Sequence, residues 1–247
     1  MNHALRIDQP RIESQLPALI CALSPRIDDD FAVVAGVIGP NSAHEALGRK
    51  WVERLQYEQR VADVAPECFD FAAPLEPAAE RRLMSTLRES GLLAIAAAVS
   101  LNAARGAFED IRSERQLQDF ALRIAAQESF MLIARAIEAF TSGALACILA
   151  EDDERFHVAA SGAWNELRQS GFSGRDYFAE IAFAPYVRYS ALWPARMIAL
   201  ESLRAAPAHG ERPIATALYQ LIGIRASASM LSTNTLNDLA MQGLAAV

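Results

Sequence analysis

The hydrophobic positions of this chain recur mostly every three or four residues, which is the spacing of one face of a helix. Between residues 42 and 65, Trp51 and Leu55 fall on such a face, whereas Glu53 and Arg60 fall largely elsewhere. The same spacing predicts helices at 78–104, 113–150 (one bent helix or two), 152–170 and 191–205, and shorter ones at 175–183, 212–230 and from residue 232 onward.

Capping residues and prolines set the expected helix boundaries. The segments Ser42–Glu45 and Ser113–Gln116 match the capping box, in which two side chains satisfy backbone N–H groups at a helix start. No proline occurs between Pro77 and Pro185, and a proline inside a helix removes a backbone donor. We therefore expect this interval to hold a helical core, including a buried apolar helix at residues 91–104.

Strand signals are sparse by comparison. The segment Phe31–Ile38, with its Val-Val and Val-Ile pairs, predicts one short edge strand. The expected fold class is therefore all-α: a single multi-helix globular domain at 41–247, preceded by a less regular N-terminal arm at 1–40.

Composition and charge narrow the classes of function. The chain has 247 residues and a formal net charge of -7, which argues against nucleic-acid binding through clustered cations. The N-terminus lacks the apolar stretch of a signal peptide, and the apolar run at 91–104 is shorter than the roughly 20 residues that span a bilayer. These features predict a cytoplasmic protein without a transmembrane segment.

The three cysteines, Cys21, Cys68 and Cys147, are far apart and form no CxxC pair. An odd number of separated cysteines does not build a disulfide framework. Their apolar neighbours predict small buried side chains.

One short motif could bind a metal. Glu154 and His157 are three residues apart, so a helix places both side chains on one face, as in half of a di-iron carboxylate site. Such a site requires carboxylates from other helices, for which Glu128 or Glu138 are available. The alternative is an acidic helix start with a solvated histidine, and we expect no metal or cofactor.

Two acidic segments, Asp28–Asp30 and Glu151–Glu154, are far apart in the chain. They are similar to the magnesium-binding carboxylates of helical prenyl-chain synthases, which need acids about four residues apart on one face. Consecutive aspartates point in different directions, so a turn and a helix cap are the favoured interpretation.

The central helical segments resemble the SctK family, the accessory proteins of the type III secretion sorting platform. The resemblance depends on the segments Leu87–Leu93 (LRESGLL), Leu117–Leu122 (LQDFAL) and Gly162–Arg168 (GAWNELR), within about residues 80–185. It implies a non-catalytic adaptor that bridges the inner-membrane ring and the cytosolic pods, and that reaches the membrane only through its partners.

Two hypotheses of function follow. The first is this adaptor, which would bind protein partners through aromatic residues among Trp51, Trp164, Trp193, Tyr186 and Tyr189. The favoured interpretation of these aromatic residues is nevertheless the core, because Trp51 and Trp164 lie on apolar helix faces. The second is a helical-bundle metalloenzyme, ferritin-like or haem-oxygenase-like, that uses Glu154 and His157. A small-molecule sensor with an apolar cavity is a third, less defined possibility, and the oligomeric state stays open.

Overall fold

The structure, a computed structural model, describes residues 19–62, 77–108, 111, 113–140, 144–186, 189, 191–208, 214, 226–231 and 233–241. Seven helices lie in these residues: α1 (Asn41–Ala62), α2 (Pro77–Arg88), α3 (Leu101–Ala107), α4 (Glu114–Phe140), α5 (Glu154–Gln169), α6 (Leu192–Ala205) and α7 (Thr233–Met241).

The described residues also form a six-stranded mixed sheet. Its strands are β1 (Leu19–Ile27), β2 (Phe31–Pro40), β3 (Leu93–Ser100), β4 (Ala146–Glu151), β5 (Phe178–Ala184) and β6 (Ala226–Leu231). They lie in the order β5-β4-β1-β2-β3-β6. Because β2 is antiparallel to both β1 and β3, and the other pairs are parallel, β2 alone among these strands runs in the opposite direction.

The prediction of an all-α fold is wrong, because the structure is an α/β protein with a mixed sheet at its centre. The sheet lies between two layers of helices. On one face, Leu23 and Val34 join a core built with α3, α4, α5 and α7. On the other, Ala22 and Val33 join a core built with α1, α2 and α6.

This burial explains why the inner strands β1 and β3 were not predicted as strands. Successive residues of a strand point to opposite faces, and helices cover both faces here, so both sets of positions are apolar. A strand buried on both sides is a continuous apolar run and lacks polar alternation. The segment Leu93–Ser100, expected to be part of a buried helix, is β3 for this reason, and Ala94 to Val99 are all fully buried.

The break between α2 and β3 occurs at Gly91, whose backbone φ of 73° is in the left-handed region that favours glycine. Other expected helices are also partly strands: 113–150 includes most of β4, 175–183 includes most of β5, and 212–230 overlaps β6.

Residues 19–40, assigned from the sequence to an irregular arm, form β1 and β2. The segment Phe31–Ile38 is indeed a strand, but β2 lies inside the sheet between β1 and β3 and not at an edge. Residues 1–18 lie outside the described part of the chain.

Several helix boundaries agree with the sequence. Ser113 accepts a hydrogen bond from Gln116 N at 3.1 Å at the start of α4, as its capping motif predicts. Helices α5 and α6 match the predicted 152–170 and 191–205. Helix α1 begins at Asn41 instead of after Ser42, and the Asn41 side chain donates to Glu45 at 2.9 Å.

Candidate functional site

The two acidic segments singled out in the sequence lie at the same end of the sheet, next to the carboxyl ends of neighbouring strands. Strands β1 and β4 are parallel neighbours, with Leu23 opposite Ala150, so their carboxyl ends meet. The turn Asp28–Asp30 follows β1, and Glu151–Glu154 ends β4 and begins α5. Ligands of open α/β sheets commonly bind at this carboxyl edge, which makes it the first place to look for a site.

Two of these carboxylates are used locally. Asp28 accepts hydrogen bonds from the backbone N–H groups of Asp30 and Phe31, at 2.8 and 2.7 Å, and so shapes the β1–β2 turn. Asp153 accepts from Phe156 N at 2.9 Å and caps α5. The interpretation of a turn and a helix cap is confirmed for these two residues. Within the described part of the chain, no three His, Cys, Asp or Glu residues are grouped as a metal site.

A buried polar cluster lies inside the protein, next to the carboxyl ends of β1 and β4. Glu151 accepts hydrogen bonds from the Ser24 hydroxyl at Oε2 and from the Arg196 guanidinium at Oε1. The Arg26 guanidinium lies 3.7 Å from Oε2. Ser24 is fully buried, and Glu151 and Arg196 are nearly so. The cluster joins β1, β4 and α6. Its carboxylate and guanidinium groups have opposite charges and therefore compensate one another inside the protein.

Aromatic residues complete the cluster on the side of α6. The guanidinium of Arg196 lies 3.7 Å from the ring centre of Tyr186, and the Trp193 indole donates to the Tyr186 carbonyl at 2.8 Å. Stacking on an aromatic ring offsets part of the free energy that a guanidinium loses when it is removed from water. This arrangement fixes the segment after β5 against α6.

The sequence did not identify Ser24, Arg26 or Arg196. Arg196 gave the clearest missed signal, because it interrupts the otherwise apolar run Leu192–Leu200 on α6. A charge inside such a run, when buried, requires a partner of opposite charge. Nothing in the local sequence of Ser24 distinguishes it from other strand serines.

The Glu154 and His157 pair lies on the surface. Both side chains are exposed, and the His157 ring stacks on Phe183 of β5 with ring centres 3.9 Å apart. Its Nδ1 is 3.8 Å from Asp152. The structure thus places the histidine where the sequence's second interpretation, an acidic helix start with a solvated histidine, expects it.

The carboxylates suggested as further metal ligands are elsewhere. Glu128 is buried on α4 and interacts with Ser229 of β6, at the sheet edge opposite to β5, on which His157 stacks. Glu138 is exposed, nearly three turns further along α4. Burial raises the pKa of Glu128, while Ser229 and Arg135 oppose this shift.

The aromatic residues considered for a partner surface divide into three groups. Trp51 is fully buried, and Trp164 packs edge-on against Phe130 and Phe178, at 5.9 and 5.5 Å between ring centres. Trp193 and Tyr186 belong to the cluster around Arg196. Tyr189 is half exposed. Most of the set therefore belongs to the interior.

The two described cysteines are not reactive thiols. Cys21 is fully buried, as predicted, and burial raises its pKa. Cys147 is partly exposed, and burial together with the neighbouring Glu180 raises its pKa to about 11. A thiol must ionise to act as a nucleophile, so both stay protonated near neutral pH. Cys68 lies outside the described residues.

An open groove of about 520 Å³ lies on the surface where α4 packs against α5. One wall is a row of α4 residues four apart, Arg115, Asp119 and Arg123; the other includes Val158 and Gly162 of α5. Val158 is 72% exposed, an unusual value for a large hydrophobic residue.

Ion pairs fix the walls of this groove. Arg155 donates to Asp119 at 2.6 Å, and Arg123 bridges to Glu166 at 2.7 Å. These two ion pairs hold Asp119, Arg155 and Arg123 in place before any partner binds.

Among the described helices, none combines the length and the apolar character that crossing a membrane requires. Comparison of the chain with models of protein families, with curated protein sequences and with solved structures finds no match.

Proposed function

We propose that this protein is an adaptor in a bacterial secretion assembly, in which it bridges the inner-membrane ring and the cytosolic pods of a type III sorting platform. The groove between α4 and α5 is its binding surface. The observation that carries the proposal is that two of the three segments resembling SctK proteins, Leu117–Leu122 and Gly162–Arg168, belong to these two packed helices and contribute residues to the groove.

The exposed apolar residues of the groove support binding of a protein segment. Val158 and the partly buried Phe120 present apolar surface beside the charged side chains. Covering such surface stabilises a complex by roughly 25 cal/mol per Å² before the cost of association. Because ion pairs already hold Asp119, Arg123 and Arg155, binding does not have to order these three side chains.

Charge indicates which partner segment fits. Arg115 is 78% exposed on the α4 wall, and Glu154 is exposed where the α5 wall begins. A partner helix fits when it carries an apolar residue for Val158, an acidic residue for Arg115 and a basic residue for Glu154. Amphipathic helices bind grooves in this way in many complexes.

The test is a charge placed at Val158, in the apolar part of the groove. We expect Val158→Asp to weaken binding of purified ring or pod components about tenfold or more, which corresponds to about 1.4 kcal/mol. Val52→Asp is the matched control, because Val52 is also an exposed helical valine, on α1 at 39% exposure. Binding is measured by surface plasmon resonance with both variants checked for folding by circular dichroism.

Two outcomes would refute the proposal. If the unmodified protein binds neither ring nor pod components, the adaptor function is wrong. If it binds and both valine variants lose affinity equally, the groove is not the surface that makes the contact.

A further inference from the structure

His44 is a buried histidine in the first turn of α1, and it contacts β1. Its side chain is 3% exposed, and Nε2 lies 3.0 Å from the backbone carbonyl of Ile20. Because a carbonyl can only accept a hydrogen bond, Nε2 carries the proton of the neutral ring. Nδ1 is buried and has no hydrogen-bond partner among the described residues.

Protonation of this ring is unfavourable in the folded protein. A second proton must go to Nδ1, where it places both a positive charge and an unsatisfied N–H group in a buried position. Burial accordingly lowers the pKa of His44, and the Ile20 carbonyl opposes this effect only in part.

Charged groups on the elements around His44 are engaged elsewhere. On α1, Glu45 is exposed and accepts from Asn41, while Lys50 pairs with Glu89, next to α2, at 3.4 Å. On β1, Cys21 is neutral because burial raises its pKa, and Arg26 lies 3.7 Å from the Glu151 carboxylate. Strand β2 contains no ionisable side chain. Burial and the carbonyl of Ile20 are the influences on His44 that the described residues exert.

The contact joins α1 to the sheet near other buried side chains of the same helix. Leu47 and Trp51 pack with Val33 and Val37 of β2 in the core on this face. Release of α1 would therefore uncover apolar residues of β2.

We propose that His44 is a pH-sensitive latch, whose neutral ring holds α1 on the sheet and whose protonation in mildly acidic solution releases it. The released helix has a histidine with the ordinary pKa of about 6.5, and so binds more protons than the docked helix. Docking is consequently strongest above this pH and weakens as the pH falls below it. One proton changes the released population at most about tenfold per pH unit.

Hydrogen exchange measured by mass spectrometry tests this latch. Between pH 7 and pH 5, after correction for intrinsic exchange, the protection of α1 amides should fall up to about tenfold per pH unit. The amides of α4 and β3 should keep their protection. An equal loss in all three elements would indicate global unfolding and would overturn the latch.

Two variants separate the role of His44 from general acid effects. In His44→Gln the amide can still donate to Ile20 but does not titrate, so α1 protection should become independent of pH. His157→Gln, which changes an exposed ring, should behave as the unmodified protein. The latch is wrong if His44→Gln keeps the pH dependence.

A measurement on the unmodified protein covers the case in which His44→Gln does not fold. The ring protons of His44 are followed by NMR through the same titration. His44 should titrate below the ordinary histidine value of about 6.5, together with the shifts of α1 amides. A midpoint at or above that value, or titration of His44 without any change in α1, would contradict the proposal.

Discussion

The hydroxyl group of Ser24 on β1 donates a hydrogen bond to the carboxylate of Glu151 at the end of β4, across 127 residues of sequence. The same carboxylate accepts from Arg196 on α6. A single buried carboxylate thus connects two strands and α6, a helix that covers one face of the sheet. Its removal has testable consequences.

Glu151→Gln should destabilise the fold by about 3–5 kcal/mol, because it removes the carboxylate that compensates the buried Arg196. Urea unfolding followed by circular dichroism measures the change. The control is Glu180→Gln, an exposed glutamate on β5, which should change stability by less than about 0.5 kcal/mol. In the double variant Glu151→Gln with Arg196→Met, the loss should be smaller than the sum of the single losses; an additive result would contradict the pairing.

Ser24→Ala should cost about 1.5–3 kcal/mol of folding free energy, the range for hydrogen bonds to charged groups. Ser129 offers a matched comparison, because it is also fully buried but donates to the carbonyls of Val34 and Ala125. Ser129→Ala should cost only about 1 kcal/mol. Equal losses in the same urea experiment would mean that the charge of Glu151 does not strengthen the Ser24 bond.

Gly36→Ala should destabilise the sheet by about 3 kcal/mol or prevent folding, because a Cβ there collides with the backbone carbonyl of Ala22 on β1. At Gly106, on α3, a Cβ meets nothing within 4 Å. Gly106→Ala should instead stabilise by up to about 1 kcal/mol, since alanine is the better helix former. Thermal unfolding of the two variants shows directly whether the first substitution lowers stability and the second raises it.

Glu128→Gln should change how stability depends on pH. Burial raises the pKa of Glu128 in the folded protein, so the folded state binds this proton more tightly than the unfolded chain. The contribution of this bound proton to the stability of the fold is complete below pH 4.5, and it is lost as the pH rises through the raised pKa of Glu128. Relative to the Gln variant, the unmodified protein should therefore lose stability as the pH rises above 4.5 towards the raised pKa, by at most about 1.4 kcal/mol per pH unit. A flat difference would show that this residue does not titrate as described.

The helices that face water on one side could be predicted from the sequence. On α5, Phe156, Ala160, Ala163 and Leu167 are buried at the predicted spacing, and Val158 on the other side is exposed. Polar residues between the apolar ones mark the solvent face, and only this contrast makes the period visible.

The strands could not be predicted in the same way, because their surroundings and not their local pattern decide them. The run LAIAAAVS of β3 has high alanine content, which by itself favours a helix. Its position between β2 and β6, covered by helices on both faces, overrides that preference. The Gly91 turn before it was the available signal, since glycine in a predicted helix interior indicates a break.

The candidate site was only half predictable for a related reason. The acidic segments after β1 and β4 were recognised, but their meeting depends on the parallel pairing of these strands. Without the sheet, Arg196 had no identifiable partner, and the groove between α4 and α5 could not be located.

The strand order also determines how the protein assembles during synthesis. Strands β1, β2 and β3 leave the ribosome first and form the middle of the sheet, while β4, β5 and β6 are added later at its two sides. Until β4 arrives, one long edge of β1 is unpaired, and unpaired edges promote association between chains. A truncated chain that ends before residue 146 therefore lacks the strand that covers this edge of β1, and should associate with other chains more readily than the full chain.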